Sequence, residues 1–281
     1  MSHGDDMTDH IDIFELVPIF LKDGKTVALC TVTEKIGSGP AKVGTRILVT
    51  EDAKIFGAFC TGTSAIGTIG GGELERAVMD EALKAIKEGK SKSFKFSLGE
   101  KTREGELETG LWCGGTMTIF IDVIEPKPEL SIVGSGHIAL QIYKIADLLG
   151  FNVTVIDDIN ETLTKNKFPK AKLIYNKSFV KALKEVKVGT NTYVAIVHGE
   201  PKHDLAALRR FVREKIAYLG LLGSARKIDK LKEILRKDGV PTEAIKKIHA
   251  PIGLKINART PEEIAVSIAA ELIEKMRSQS S

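Results

Sequence analysis

Short β-branched runs dominate the first half of the chain, whereas in the second half they alternate with apolar residues at helical spacing. Thr26 to Val32, Thr45 to Thr50, Ile55 to Phe59, Lys92 to Leu98 and Thr116 to Val123 predict strands, and Glu51-Asp52-Ala53 predicts the turn of a hairpin. Ile13, Phe14, Val17, Phe20 and Leu21 line one side of a helix over Ile11 to Leu21, which Pro18 must enter early or kink. Leu74, Val78, Ala82 and Ile86 mark a second helix. Loops are expected at Gly37-Ser38-Gly39-Pro40 and from Gly99 to Gly110, and the polar stretch Met1 to Thr8 is expected to lack regular structure. Stiff, polar Glu125-Pro126-Lys127-Pro128 separates the halves, which sets the domains at residues 1–125 and 126–281.

Past that boundary Leu130 to Val133 is an apolar strand that runs into Gly134-Ser135-Gly136-His137-Ile138-Ala139, a G-x-G-x-x-A turn. Gly134 suits the tight exit from the strand, and Gly136 lets backbone amides approach a pyrophosphate at a helix N-terminus. Ile138, Ile142, Ile145 and Leu149 then recur at helical spacing, Gly150 stops the helix, and Asn152 to Ile156 forms a second strand closed by Asp157. That carboxylate lies roughly twenty residues beyond the glycines, where a Rossmann unit hydrogen-bonds a ribose hydroxyl. Leu173 to Tyr175, Thr192 to Val197 and Ala217 to Leu222 continue the strands, with helices at Phe179 to Val186 and Asp204 to Arg213. Ile248 to Leu254 reads as a loop. Thr260, Pro261 and Glu263 then spell the start of a last helix that turns Ile264, Ile268, Leu272 and Ile273 inward and pairs Glu271 with Lys275.

The expected fold class is α/β: a C-terminal Rossmann-like doubly wound parallel sheet plus an N-terminal mixed α/β domain. In such a sheet ligands sit outside the carboxyl ends of the strands, so one rim collects His137, Asp157, His198 and Ser224, and Arg226 adds charge compensation for phosphate. His198 and His203 are candidates for ligand contact or proton transfer; the bland alternative is a hydrogen-bonded structural role, and the H-x4-H-D spacing matches no common zinc site.

Two further motifs lie in the first half. Gly70-Gly71-Gly72 precedes a helix, which suits an anion, but Glu73 and Glu75 oppose a second negative charge there. A carboxylate beside such a loop accepts hydrogen bonds from an amidine-like edge such as a pterin's, or else simply stabilises the helix start. Cys113-Gly114-Gly115 places a thiol on closely approachable backbone, suited to a soft metal or a sulfur-transfer partner, against the alternative of a buried structural cysteine. Cys30 and Cys60 read as small core residues, and three widely spaced cysteines argue against a disulfide framework.

Bulk properties narrow the function classes. The chain has 281 residues, 43% of them hydrophobic and 28% charged, which is enough for about two globular domains. Its net charge of +4 is spread over scattered lysines and arginines, so no nucleic-acid stripe is formed. No run approaches the roughly 20 apolar residues of a membrane span and no signal core is present, so the expected location is cytoplasmic.

Together these motifs resemble the xanthine dehydrogenase accessory factors of the XdhC/CoxI type over nearly the whole chain. The resemblance rests on Gly67 to Glu75, Cys113-Gly114-Gly115, Gly134 to His137, Asp157-Asp158, His198-Gly199 with His203-Asp204, Gly220 to Lys227, and His249 to Leu254 followed by Thr260 to Glu271. It departs at Ala41, where the family usually has Arg after Pro40, at Ala225, and at Asn257, where the family usually has Gly. The resemblance implies a chaperone that binds the molybdenum cofactor, as molybdopterin or molybdopterin cytosine dinucleotide, and delivers it to a molybdenum hydroxylase apoenzyme. A sulfurtransferase is a candidate second partner and a homodimer one of the open oligomeric states, and the candidate cofactor contacts are Gly70, Gly71, Gly72, Glu73, Cys113, Gly114 and Gly115 (Cys113 to the metal), Gly134, Gly136, His137, Asp157, His198, His203, Ser224 and Arg226. The alternatives are an oxidoreductase using NAD(P) on the same fold, with His198 or His203 as proton donor, and a nucleotide-sensing module.

Overall fold

The computed structural model describes residues 13–57, 68–99, 104–110 and 114–278. Two compact units are formed, one ending at Pro126 and the other beginning at Lys127.

The first unit runs α1 (Ile13–Lys22), β1 (Val27–Ile36), β2 (Arg46–Thr50), β3 (Ile55–Gly57), α2 (Gly72–Glu88), β4 (Lys92–Ser97), β5 (Glu106–Glu108) and β6 (Thr116–Ile124). Its sheet has the order β3-β2-β1-β6-β4-β5 and is antiparallel except where β5 joins β4. Strand β5 lies in the stretch Gly99 to Gly110 that the sequence presents as a loop; a parallel edge strand of three residues leaves no periodicity to detect. Alternation sorts the two faces. Ala28, Cys30, Val32, Ile47, Val49, Met117, Ile119 and Ile121 pack under Leu74, Val78, Ala82 and Ala85 of α2. Val27, Leu29, Leu48 and Ile124 point the other way, against Ile13, Leu16, Val17 and Phe20 of α1.

The second unit runs β7 (Glu129–Val133), α3 (His137–Leu148), β8 (Asn152–Asp157), β9 (Lys172–Tyr175), α4 (Phe179–Lys184), β10 (Thr192–Ile196), α5 (Pro201–Phe211), β11 (Tyr218–Leu221), α6 (Ala225–Lys237), α7 (Thr242–Lys246), β12 (Ile248–His249) and α8 (Pro261–Ser278). All its strands are parallel, in the order β12-β11-β10-β7-β8-β9. Counted within the unit and read from the β9 edge this is 3-2-1-4-5-6, the full dinucleotide-binding order, whose reversal lies between β7 and β10. Helices cover both faces. Ile142, Tyr143 and Ala146 of α3 share one core with Ile268 and Leu272 of α8, while Leu183, Leu208, Phe211, Leu231 and Leu235 of α4, α5 and α6 fill the other.

Several expectations change in detail. Helix α5 starts at Pro201 rather than at Asp204, with Glu200 as N-cap, because proline fits the first helical turn. Ile248-His249, expected in a loop, pairs with β11 as the sheet's last strand. Helices α6 and α7, the first strongly amphipathic and the second only five residues long, complete the far layer in a stretch where no helix was expected. On α8 the capping box forms as expected: Glu263 N–H donates to Thr260 Oγ1 at 3.2 Å and Thr260 N–H to Glu263 Oε2 at 3.2 Å. Ile273, however, is 37% exposed. The Glu271–Lys275 pair does not form either. Glu271 is buried and accepts from Tyr218 OH at 2.6 Å and Gly253 N–H at 2.6 Å, with His249 Nδ1 at 3.0 Å, while Lys275 lies 3.5 Å from Glu274. Asn257 adopts φ of 60°, a left-handed conformation that asparagine tolerates where the resembling family has glycine.

Candidate functional site

The turn after β7 meets the loop after β10 at the reversal of strand order. Gly134 has φ of 110°, its N–H donates to Ile156 O at 2.8 Å, and a Cβ there would lie 2.7 Å from His198 Cα. Backbone is packed on backbone, so only glycine fits. Two residues on, Gly136 is different: a Cβ there meets nothing within 4 Å. It is the N-cap of α3, no side chain caps that helix, and no acid lies in its first turn. The N-terminal amides of α3 therefore sit beside open space with favourable dipole polarity, as a diphosphate requires. His137 follows, exposed, as the first residue of the helix.

Asp157 is 2% exposed and its oxygens are occupied from within. Oδ2 accepts from Ser135 N–H and Ser135 Oγ at 2.6 Å each; Oδ1 accepts from Asp158 N–H at 2.8 Å and Ile159 N–H at 3.1 Å. Burial pushes its carboxyl up, but His198 and these donors prevail and hold it below the usual carboxylate range. With four donors on a carboxylate that has about four lone-pair sites, little capacity remains for a ribose hydroxyl. The carboxylate instead fixes Ser135, and with it the glycine turn. The acid that faces the rim is the next one, Asp158, which the motif alone did not single out.

His198 and His203 stack on each other, ring centroids 4.2 Å apart and planes 9° apart, with Phe179 edge-on to both. His203 Nε2 lies 3.0 Å from Asp158 Oδ2, and its Nδ1 lies 2.8 Å from Glu200 Oε2. His198 Nε2 lies 3.6 Å from Asp157 Oδ1 and 3.7 Å from Asp158 Oδ1, too far for hydrogen bonds. The adjoining Asp157 carboxylate raises the His198 pKa against the opposing effect of burial. The His198 loop is itself pinned. Buried Asp204 accepts from Lys227 Nζ at 2.6 Å and from Gly199 N–H at 3.3 Å, joining the start of α5 to the start of α6. This ion pair was also missed: its partners are 23 residues apart, and each sits in a polar helix start that reads as solvated. Ser224 accepts a long 3.4 Å bond from Lys227 N–H as N-cap of α6, and Arg226 is exposed in the first turn. The structure thus gathers Gly134, Asp157, His198 and His203 closely, and sets Ser224 and Arg226 at the adjoining helix start.

In the first unit the glycine loop holds its own anion. Glu75 Oε1 accepts from Ile69 N–H and Gly71 N–H at 3.2 Å each and from the Thr68 hydroxyl, whose oxygen accepts from Gly70 and Gly71 N–H at 3.1 and 2.8 Å. Glu73 is outward, 3.4 Å from Arg76. A Cβ on Gly70 would strike Pro40, and one on Gly115 would strike the carbonyls of Ile36 and Ser38. The Gly37–Pro40 loop is therefore held between the two glycine motifs by contacts that only glycine allows. Cys60, Trp112 and Cys113 lie outside the described residues, as do Gly67 and the N-terminal stretch Met1 to Thr8.

The family description "XdhC Rossmann domain" matches residues 130–272, and "XdhC and CoxI family" matches residues 20–97. The chain belongs to the XdhC and CoxI family. Among curated relatives it is 36% identical over 248 residues to the Escherichia coli protein YqeB, covering 88% of this chain and 43% of that one. It is 33% identical over 159 residues to a Bacillus subtilis protein named as a probable xanthine dehydrogenase subunit, covering 57% and 46%. It is 24% identical over 297 residues to the molybdenum cofactor insertion chaperone PaoD of Escherichia coli, covering 94% and 88%. The chain thus spans less than half the length of the first two. No helix among the described residues is long and apolar enough to cross a membrane.

Proposed function

We propose that this XdhC and CoxI family chain is an accessory protein that binds the molybdenum cofactor and delivers it to an apo molybdenum hydroxylase of the xanthine dehydrogenase type. The observation that carries the reading is the open backbone at Gly136 beside the uncapped start of α3, at the reversal of a 3-2-1-4-5-6 sheet. That site fits a diphosphate, which favours molybdopterin cytosine dinucleotide over bare molybdopterin. The names of two relatives, a molybdenum cofactor insertion chaperone and a probable xanthine dehydrogenase subunit, support the cargo and the client.

In this account Gly134 and Gly136 admit the diphosphate to the amides of α3 and His137 flanks it. Asp157 contributes by holding Ser135, while Arg226 and Ser224 offer charge and a hydroxyl from the neighbouring helix start. Taken by itself, the first unit offers the Gly70–Gly72 loop with Glu73, and Cys113-Gly114-Gly115 with the Cys113 thiolate as soft ligand, as candidate groups for a pterin and its molybdenum. The same turn accepts NAD(P), and a hydride-transfer enzyme is the competing reading.

Delivery is tested by mixing cofactor-loaded protein with a cofactor-free hydroxylase and following hydroxylase activity. Wild-type protein should activate it. Cys113→Ser should keep its melting temperature and nucleotide affinity but lose molybdenum and activation. Activation by the variant equal to that of the wild type would remove Cys113 from the site, and no activation by wild type together with NAD(P)-dependent turnover would replace the chaperone reading.

A further inference from the structure

We propose that Asp158, His198 and His203 form a binding site for a divalent transition-metal ion of the zinc class, separate from the molybdenum of any cargo. One ligand atom from each of the three lies within 4.8 Å of the others, the single such group found among the described residues. Two imidazoles and one carboxylate are a ligand set that zinc and its neighbours accept, with a fourth position left for solvent or a ligand oxygen.

The second observation is the state of the histidines. The His198 side chain is 8% exposed, yet neither of its ring nitrogens has a hydrogen-bond partner, and buried His203 Nδ1 also lacks one in bonding geometry. Buried polar groups are almost always satisfied, so an imidazole with two orphan nitrogens calls for a partner of another kind. A metal ion on His198 Nε2 supplies it. His203 also turns a nitrogen to the site: its Nε2 lies 3.0 Å from Asp158 Oδ2, and the Glu200 carboxylate lies 2.8 Å from Nδ1 outside bonding geometry. Asp157 is excluded as a ligand because its oxygens are committed to backbone and Ser135.

Both Nε2 atoms lie near the Asp158 carboxylate, at 3.0 Å for His203 and 3.7 Å for His198, and rotation of one ring closes them on one ion. His203 is the freer of the two, since His198 stands on backbone packed against Gly134. The spacing H-x4-H-D hid the site because the third ligand comes from the end of β8, not from the histidine loop. The metal site does not depend on the nucleotide or on delivery.

The test uses chelator-treated full-length protein titrated with Zn²⁺ by calorimetry and with Co²⁺ by visible absorption. One equivalent should bind, and the Co²⁺ complex should show d–d bands without thiolate charge transfer. Asp158→Asn and His203→Phe, the latter keeping a ring against Phe179, should each weaken Zn²⁺ by about tenfold or more, with melting in chelator unchanged. Cys113→Ser should bind as wild type does. Absence of stoichiometric binding by wild type, unchanged affinity in both ligand variants, or loss confined to Cys113→Ser would each overturn the site.

Discussion

Gly134 and Gly136 stand two residues apart in one turn and differ in what a side chain would do. At Gly134 an added methyl meets His198 backbone and a φ of 110°. Gly134→Ala should therefore cost about 2 kcal/mol or more of stability, by the strain and overpacking of such a site. Gly136→Ala, with open space and φ of −73°, should leave melting unchanged. Equal melting of the two variants would refute the distinction. Both glycines were legible in the sequence because the turn has few chemical solutions. The role of Asp157 was not, since its partners are backbone amides and a serine whose positions appear only in the folded turn. Cys30 illustrates the reverse case. The strand pattern places it in the core, and burial pushes its thiol up to about 12. It should resist alkylation at pH 8 in the native protein and react only as the protein unfolds; rapid native labelling, read by peptide mass, would contradict this.

At the level of elements, α8 is fastened to the sheet through Glu271, which receives Tyr218 OH from β11 and Gly253 N–H from the loop after β12. Burial first, then the Glu271 carboxylate, raises the Tyr218 pKa above its ordinary value. A raised folded pKa means that the neutral phenol's contribution is complete below the unfolded value of about 10 and is lost as pH rises beyond it. Tyr218→Phe should cost about 1–3 kcal/mol at pH 7, and the gap from wild type should narrow above about pH 10. A constant gap in urea melts from about pH 7 to 11 would show that the bond is not formed. The cap of α8 was readable because Thr260, Pro261 and Glu263 act over one turn. The Glu271 anchor was not, because its tyrosine lies 53 residues away and a glutamate four residues before a lysine looks like a surface pair. The same reason explains β5 and β12, whose two or three residues gain strand character only from a neighbour.

Over the whole molecule, alternating strands and helices announced the parallel sheet of the second unit, and the antiparallel core of the first followed from its period-two runs. The order 3-2-1-4-5-6 was not legible, since strand order is decided by packing between distant segments, but it determines where Gly134 and His198 meet. In the proposed function a pterin dinucleotide, rather than a nicotinamide one, rests on the open backbone of Gly136. The most direct test is the pterin fluorescence and molybdenum content of the full-length protein isolated from cells that make the cofactor, beside Gly136→Val prepared in the same way. Pterin and molybdenum are expected on the wild type and should be lost from the variant at an unchanged melting temperature; stoichiometric NAD(P) without pterin on the wild type, or a full load on Gly136→Val, would overturn the proposal.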